Sequence, residues 1–243
     1  MDINRVSLRR FHEEHFVAVD PLAHKFPGWS SYSYAFCNPI RFTDPTGMAP
    51  EDGDPLKKME IRDNRASNLQ GMVRNNGDKP HQGFDLKAAP GTDIMAVKDA
   101  TVRKIVRDEK AAYGLQILLE IPGANGKSTF AQYSHLSEIS VKLGEAVKEG
   151  VVIGKTGMTG NADNLPLDQA HLHFEYRSEP SPGLGLGGRL NPNAVLDTKF
   201  YSQDPSKNQT NTGVIRVDPT GNATKMDIGG RQTPLKDYIP PKQ

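Results

Sequence analysis

The chain has 243 residues, one cysteine and a formal net charge of +1, enough for one good-sized domain with extensions or for two small ones. Its 30 Lys+Arg and 29 Asp+Glu form no basic block, so nothing points to nucleic acid or an anionic membrane surface, and no run approaches the ~18 apolar residues of a membrane span. The lone Cys37 excludes an internal disulfide, a multi-cysteine metal site and a dithiol redox pair.

The chain opens on "MDINRVSLRRFHEEHF", which carries charge but no apolar core, so no signal peptide is expected. His12 and His15 stand three apart but sit in a segment that reads as charged and solvated. His24 has no partner in sequence. Residues 1–48 are aromatic and turn-rich. Residues 49–69 are charged and polar and read as a linker. The best helix candidate, "DPLKKMEIRDNRASNLQGM", overlaps that linker and is weak. Residues 70–201 hold short runs of strand-like alternation between glycines and prolines. Within them, "GLQILLEIPGANGKSTFAQYSHL" reads as a hairpin, because its turn holds an Asn-Gly pair. "GANGKS" is not a phosphate loop, since Ile121 stands where the first glycine is needed. "GLGLGG" at 183–188 lacks the strand-to-helix setting of a dinucleotide fingerprint and reads as a surface loop. From 202 to 243 the chain is rich in Asn, Thr, Asp and Gly; it is either disordered or adds a strand or two. No fixed-period repeat is present.

The informative stretch is "AHLHFEYR", residues 170–177. At period two it places Leu172, Phe174 and Tyr176 on one side and His171, His173 and Glu175 on the other, a half-buried strand with two histidines on its second face. Upstream, "HQGFD" supplies His81 and Asp85, with Gly83 between them where the backbone turns or is closely approached. "YSHLS" supplies His135 at the end of a strand-like run. Imidazoles and a carboxylate are the ligands zinc takes. Two histidines and one carboxylate leave a fourth position open, as in catalytic zinc sites, where water is acidified toward a pKa of about 7.

In order, these residues read His81-x-x-x-Asp85, then Tyr133-x-His135-Leu136, then His171-x-His173. The pattern resembles the zinc metallopeptidases of the lysostaphin and LytM type, peptidase family M23, as do "AAPGTDIMAVKDATV" and "GEAVKEGVVIGKTGMTGN". The resemblance covers roughly residues 70–201. It implies that His81, Asp85 and His173 hold zinc and that His135 and His171 are the non-ligand catalytic pair, one a general base and the other a donor to the oxyanion. It also implies a mainly antiparallel β fold, sheet or sandwich, with few helices and a groove walled by loops. The expected activity is that of a zinc metalloendopeptidase cutting peptide bonds in peptidoglycan cross-links. The alternative is a non-catalytic wall-binding or hydrolase-activating module of the same fold. One departure is "ADNLPLDQA" before His171, longer than the family's usual connection and expected at the groove rim.

Residues 20–48, "DPLAHKFPGWSSYSYAFCNPIRFTDPTGM", resemble the C-terminal end of the RHS or YD-repeat core domain. There a β-rich shell precedes a variable C-terminal module, often a toxin. This resemblance implies that the peptidase travels as the effector module of a longer protein, secreted or delivered to a target cell envelope. It adds an immunity protein to the expected partners.

Overall fold

The structure, a computed structural model, describes residues 53–241. The resemblance at 20–48, the histidines at 12, 15 and 24, and Cys37 lie outside the described residues. Gly53–Gln243 forms one compact unit. Among the described residues there is no α-helix, only short 3-10 turns.

The strands in chain order are β1 (Gly71–Arg74), β2 (Lys79–His81), β3 (Phe84–Lys87), β4 (Asp93–Met95), β5 (Ala100–Val106), β6 (Leu115–Ile121), β7 (Thr129–Ile139), β8 (Ala146–Val147), β9 (Val152–Thr156), β10 (His171–Arg177), β11 (Arg189–Leu190), β12 (Lys199–Ser202), β13 (Val214–Val217), β14 (Ala223–Met226) and β15 (Gln232–Leu235). Strands β3 to β11 make one nine-stranded sheet, ordered β11-β10-β7-β6-β5-β8, with β3 on β10, β9 on β7 and β4 on β9. The fold is mainly β and its strand pairs are antiparallel, as expected from the sequence. The β6–β7 pair is the hairpin closed at Gly123–Gly126.

Strand alternation sorts the two faces of the large sheet. Leu172 and Phe174 of β10 sit opposite Leu86 and Phe84 of β3, and Phe174 sits opposite Tyr133 of β7. All are buried in one core. The Tyr133 hydroxyl accepts from the Val97 backbone N–H at 3.0 Å, which satisfies its one polar atom inside that core. The other face of β10 is not wet, because His171, His173 and Glu175 are buried as well.

One expectation is corrected, and one left open is resolved. The segment expected as a linker is built into the core from residue 53 onward: Leu56, Met59, Ile61 and Ala66 are buried. It forms two 3-10 turns, Arg62–Asn64 and Ala66–Asn68, rather than a helix. Ile61 bridges to Leu86, so this strap runs along the free edge of β3. The C-terminal stretch is a four-stranded meander, β12-β13-β14-β15. It begins at Lys199, inside the range 70–201 that carries the family resemblance. Phe200, Val214 and Met226 join the main core.

Candidate metal centre

Register brings the first pair of residues together. Asp85 of β3 lies directly opposite His173 of β10, and directly opposed residues share a face. Their side chains meet with Asp85 Oδ1 2.8 Å from His173 Nδ1. His81, at the end of β2, brings Nε2 to 3.1 Å from the same oxygen. Gly83 makes this approach possible: a Cβ there would lie 2.1 Å from the Phe174 carbonyl oxygen. Among the described residues, His81, Asp85 and His173 each offer one ligand atom, and these atoms lie within 4.8 Å of one another.

The other two histidines complete the cluster. His171 Nε2 is 3.7 Å from Asp85 Oδ1. The rings of His135 and His171 are 5.1 Å apart, centre to centre. Strict alternation would send His135 to the core side, since Ser134 pairs with His173 and Tyr133 points inward. Instead the β6–β7 register breaks between Tyr133 and Leu136, and His135 takes a left-handed backbone with φ 64. That irregularity re-aims the imidazole toward the cluster. Such strain on a non-glycine residue persists only where the surroundings enforce it. His135 N–H donates to the Tyr113 carbonyl at 3.0 Å, and the Tyr113 ring stacks on His173 at 5.3 Å.

Hydrogen bonds fix the tautomers. A backbone carbonyl only accepts, so a ring nitrogen facing one must carry its proton. His81 Nδ1 donates to Leu69 O at 2.9 Å, His135 Nδ1 to Thr159 O at 2.8 Å, and His171 Nδ1 to Gln169 O at 2.8 Å. In the neutral form each of these rings therefore turns an unprotonated Nε2 away from its carbonyl partner. Burial, reinforced by the neighbouring histidines, pushes His135 down to about 4. Burial also lowers His81 and His171. His173 goes the other way. Burial opposes its charge, but hydrogen bonds with Asp85 and Glu175 push it up to about 9.

A second layer holds the first. Glu175 Oε1 lies 3.2 Å from His173 Nε2, while its Oε2 accepts from Arg177 Nε at 2.9 Å and Arg189 Nε at 2.8 Å. The Arg189 Nη1 in turn reaches the carbonyls of Gly183 and Gly185, so the "GLGLGG" loop curls around this guanidinium. On the far side, Asp85 Oδ2 accepts from Arg74 at 2.7 Å and Arg62 at 3.0 Å. Sequence reasoning placed Glu175 on the right face without a role, and missed both arginines. The period-two pattern could have flagged Glu175, whereas nothing local marks Arg62 or Arg74.

This donor set suits a divalent cation. Glu175 occupies His173 Nε2 and Leu69 occupies His81 Nδ1. The nitrogens facing Asp85 Oδ1 are therefore the ones left to bring lone pairs toward an anionic oxygen. That arrangement is repulsive unless a proton or a metal ion lies between them. Two imidazole nitrogens and one carboxylate oxygen, each oriented by an outer partner, are ligands of zinc type.

Residues 79–184 match the sequence model of Peptidase family M23. An uncharacterised metalloprotease of Haemophilus influenzae is 33% identical over 113 residues, which is 46% of this chain and 21% of that protein. Stage II sporulation protein Q of Bacillus subtilis is 32% identical over 142 residues, 57% of this chain and 44% of that protein. The peptidoglycan DD-endopeptidase ShyC of Vibrio cholerae is 34% identical over 98 residues, 40% of this chain and 20% of that protein. The chain thus spans less than half the length of each of these curated relatives.

Proposed function

We propose, from the premise that residues 79–184 are a domain of peptidase family M23, a family of zinc metallopeptidases, that this protein is a zinc metalloendopeptidase of peptidoglycan cross-links. The observation that carries the reading is the convergence of His81, Asp85 and His173 within 4.8 Å, with His135 and His171 beside them. A relative named as a peptidoglycan DD-endopeptidase supports the substrate class.

His81 Nε2, Asp85 Oδ1 and His173 Nδ1 would hold the ion. Zinc bound there supplies Lewis acidity that polarises a peptide carbonyl and acidifies water. The remaining work falls to this chain's own groups. His135 is neutral at physiological pH, with Nδ1 committed to Thr159 and Nε2 free to accept a proton. His171 has the same arrangement, with Nδ1 committed to Gln169. One of the pair takes the proton of the attacking water. The other, once protonated, donates to the oxygen on which negative charge develops; a donor of that kind is worth about 3–4 kcal/mol in the transition state.

Mass spectrometry of a muropeptide digest, with and without chelator, tests the activity. The expected result is zinc-dependent shortening of cross-linked muropeptides. Zinc-loaded protein that leaves both muropeptides and glycine-rich peptides intact would sink it, and would favour the wall-binding or hydrolase-activating module. Delivery as the effector of an RHS-type protein rests on the sequence of residues 20–48 alone. Toxicity on export to the envelope, relieved by a co-expressed neighbouring gene product, is the outcome that reading requires.

A further inference from the structure

We infer that Arg62, outside the span matched to the family, is a positioning residue of the metal centre, delivered by the 53–70 strap and anchored by the C-terminal meander. The inference rests on the zinc-site reading above.

The contacts of Asp85 divide between its two oxygens. Oδ1 faces the histidines, and Oδ2 is taken by Arg62 and Arg74. With both arginines in place Oδ2 is occupied, so Asp85 can offer the ion one oxygen only. Arg62 does more than Arg74, because its Nη1 also lies 3.3 Å from His171 Nδ1. That nitrogen already donates to Gln169, so the contact is close packing of the guanidinium on the ring rather than a second hydrogen bond. One planar group therefore touches a ligand and a member of the catalytic pair. Its neighbour Asp63 accepts from Gln169 Nε2 at 2.9 Å, which ties down the loop that leads into His171.

The placement is costly. Arg62 Nε is buried with no hydrogen-bond partner, one of two such side-chain atoms among the described residues. An unmet buried donor gives up its hydration with nothing in return. A group kept under that penalty calls for an explanation beyond packing, and the two-sided contact with Asp85 and His171 supplies one.

The surroundings enforce the position. Arg62 Nη2 donates to Asn68 Oδ1 at 2.8 Å, and Asn68 Nδ2 donates back to the Arg62 carbonyl at 2.7 Å. Lys87 N–H donates to Glu60 O at 2.8 Å, which sets the strap's register beside β3. From the other side, Ala66 N–H donates to Thr212 O at 2.8 Å, Arg65 bridges to Gly213, and the Arg65 guanidinium reaches Thr210 O. The residues before β13 thus hold the strap, and the strap holds Arg62 against the centre.

The test is zinc affinity of the full chain, measured by competition with a chromophoric chelator, for the parent, Arg62→Ala and Arg62→Lys. Loss of an orienting outer partner typically weakens metal binding by about 10–100-fold. Both variants are expected in that range, because lysine keeps the charge but cannot fork between Asp85, Asn68 and the His171 ring. Where Arg62→Ala fails to fold, Arg62→Lys carries the test. Unchanged or tighter zinc binding in the folded variants overturns the inference, and so does full restoration by lysine, which would leave a bare charge as the only role. A parent that binds zinc but cuts no muropeptide overturns the proposed activity and leaves this test standing. A parent that takes up no zinc overturns both.

Discussion

Glu175 Oε1 sits 3.2 Å from His173 Nε2, and Glu175 has no solvent exposure. Its second oxygen binds Arg177 and Arg189. The carboxylate therefore orients one imidazole and is the shared counter-charge of two guanidiniums. Glu175→Gln keeps an acceptor for His173 but turns an amide toward two guanidiniums. Removing one partner of a buried charge pair costs about 3–5 kcal/mol. Chemical denaturation of the variant should read a loss of that order, and zinc should bind about 10–100-fold more weakly.

The histidines separate by readout. His173→Ala is expected to lose metal and turnover together. His171→Ala and His135→Ala are expected to keep metal and lose turnover by about 10²–10⁴-fold, the usual contribution of a positioned proton-transfer group. Metal analysis beside the rate for each variant checks this. Equal metal loss in His171→Ala and His173→Ala would show that the pair has been assigned the wrong way round.

Stability of the chelator-treated protein should peak close to neutrality. His173 is raised to about 9, so its contribution is complete below the unfolded value of 6.5 and fades as pH rises through 9. His135 is lowered to about 4, and the stability it contributes is complete above 6.5 and lost as pH falls toward 4. A ligating ion replaces the proton on His173, so zinc should remove the alkaline decline. Denaturant midpoints across pH 4–9.5, with and without zinc, measure both limbs. A chelated protein whose midpoint holds steady from 6.5 to 9.5 would contradict the His173 assignment.

Gly83→Ala should be severe for so small a change. The added methyl would meet the Phe174 carbonyl oxygen at 2.1 Å, and backbone cannot rotate aside. A loss of about 3 kcal/mol is expected, at the upper end for an overpacked site. It should also weaken zinc, because Gly83 separates two of the three proposed ligands. Thermal unfolding and the chelator titration report the two effects independently.

Much of the site was legible because it lies on regular strands. Alternation in "AHLHFEYR" gave the face of each residue, and register then set His173 opposite Asp85. His135 was found only through its motif, since alternation alone would have pointed it inward. Arg62 and Arg74 were not legible, because their partners in the cluster lie 11 and more residues away and no periodicity connects them. The strap was misread because Leu56, Met59 and Ile61, three and then two residues apart, keep no single period amid charged neighbours. The meander was open to a better reading. "VIRV", "ATKM" and "QTPL" are short strand-length runs, and the turn residues of "DPTGN" and "DIGGR" separate them.

The bridge from Arg65 to Gly213 joins residues far apart in the chain, with nearly every other strand between them. Ribosomal synthesis reaches the anchoring residues late, after every histidine of the cluster has already been made. A nascent or truncated polypeptide ending before Thr212 would hold all five cluster residues yet lack the clasp that seats Arg62. The outer shell of the centre is in this sense set by residues made after all of its histidines, not by the matched span alone.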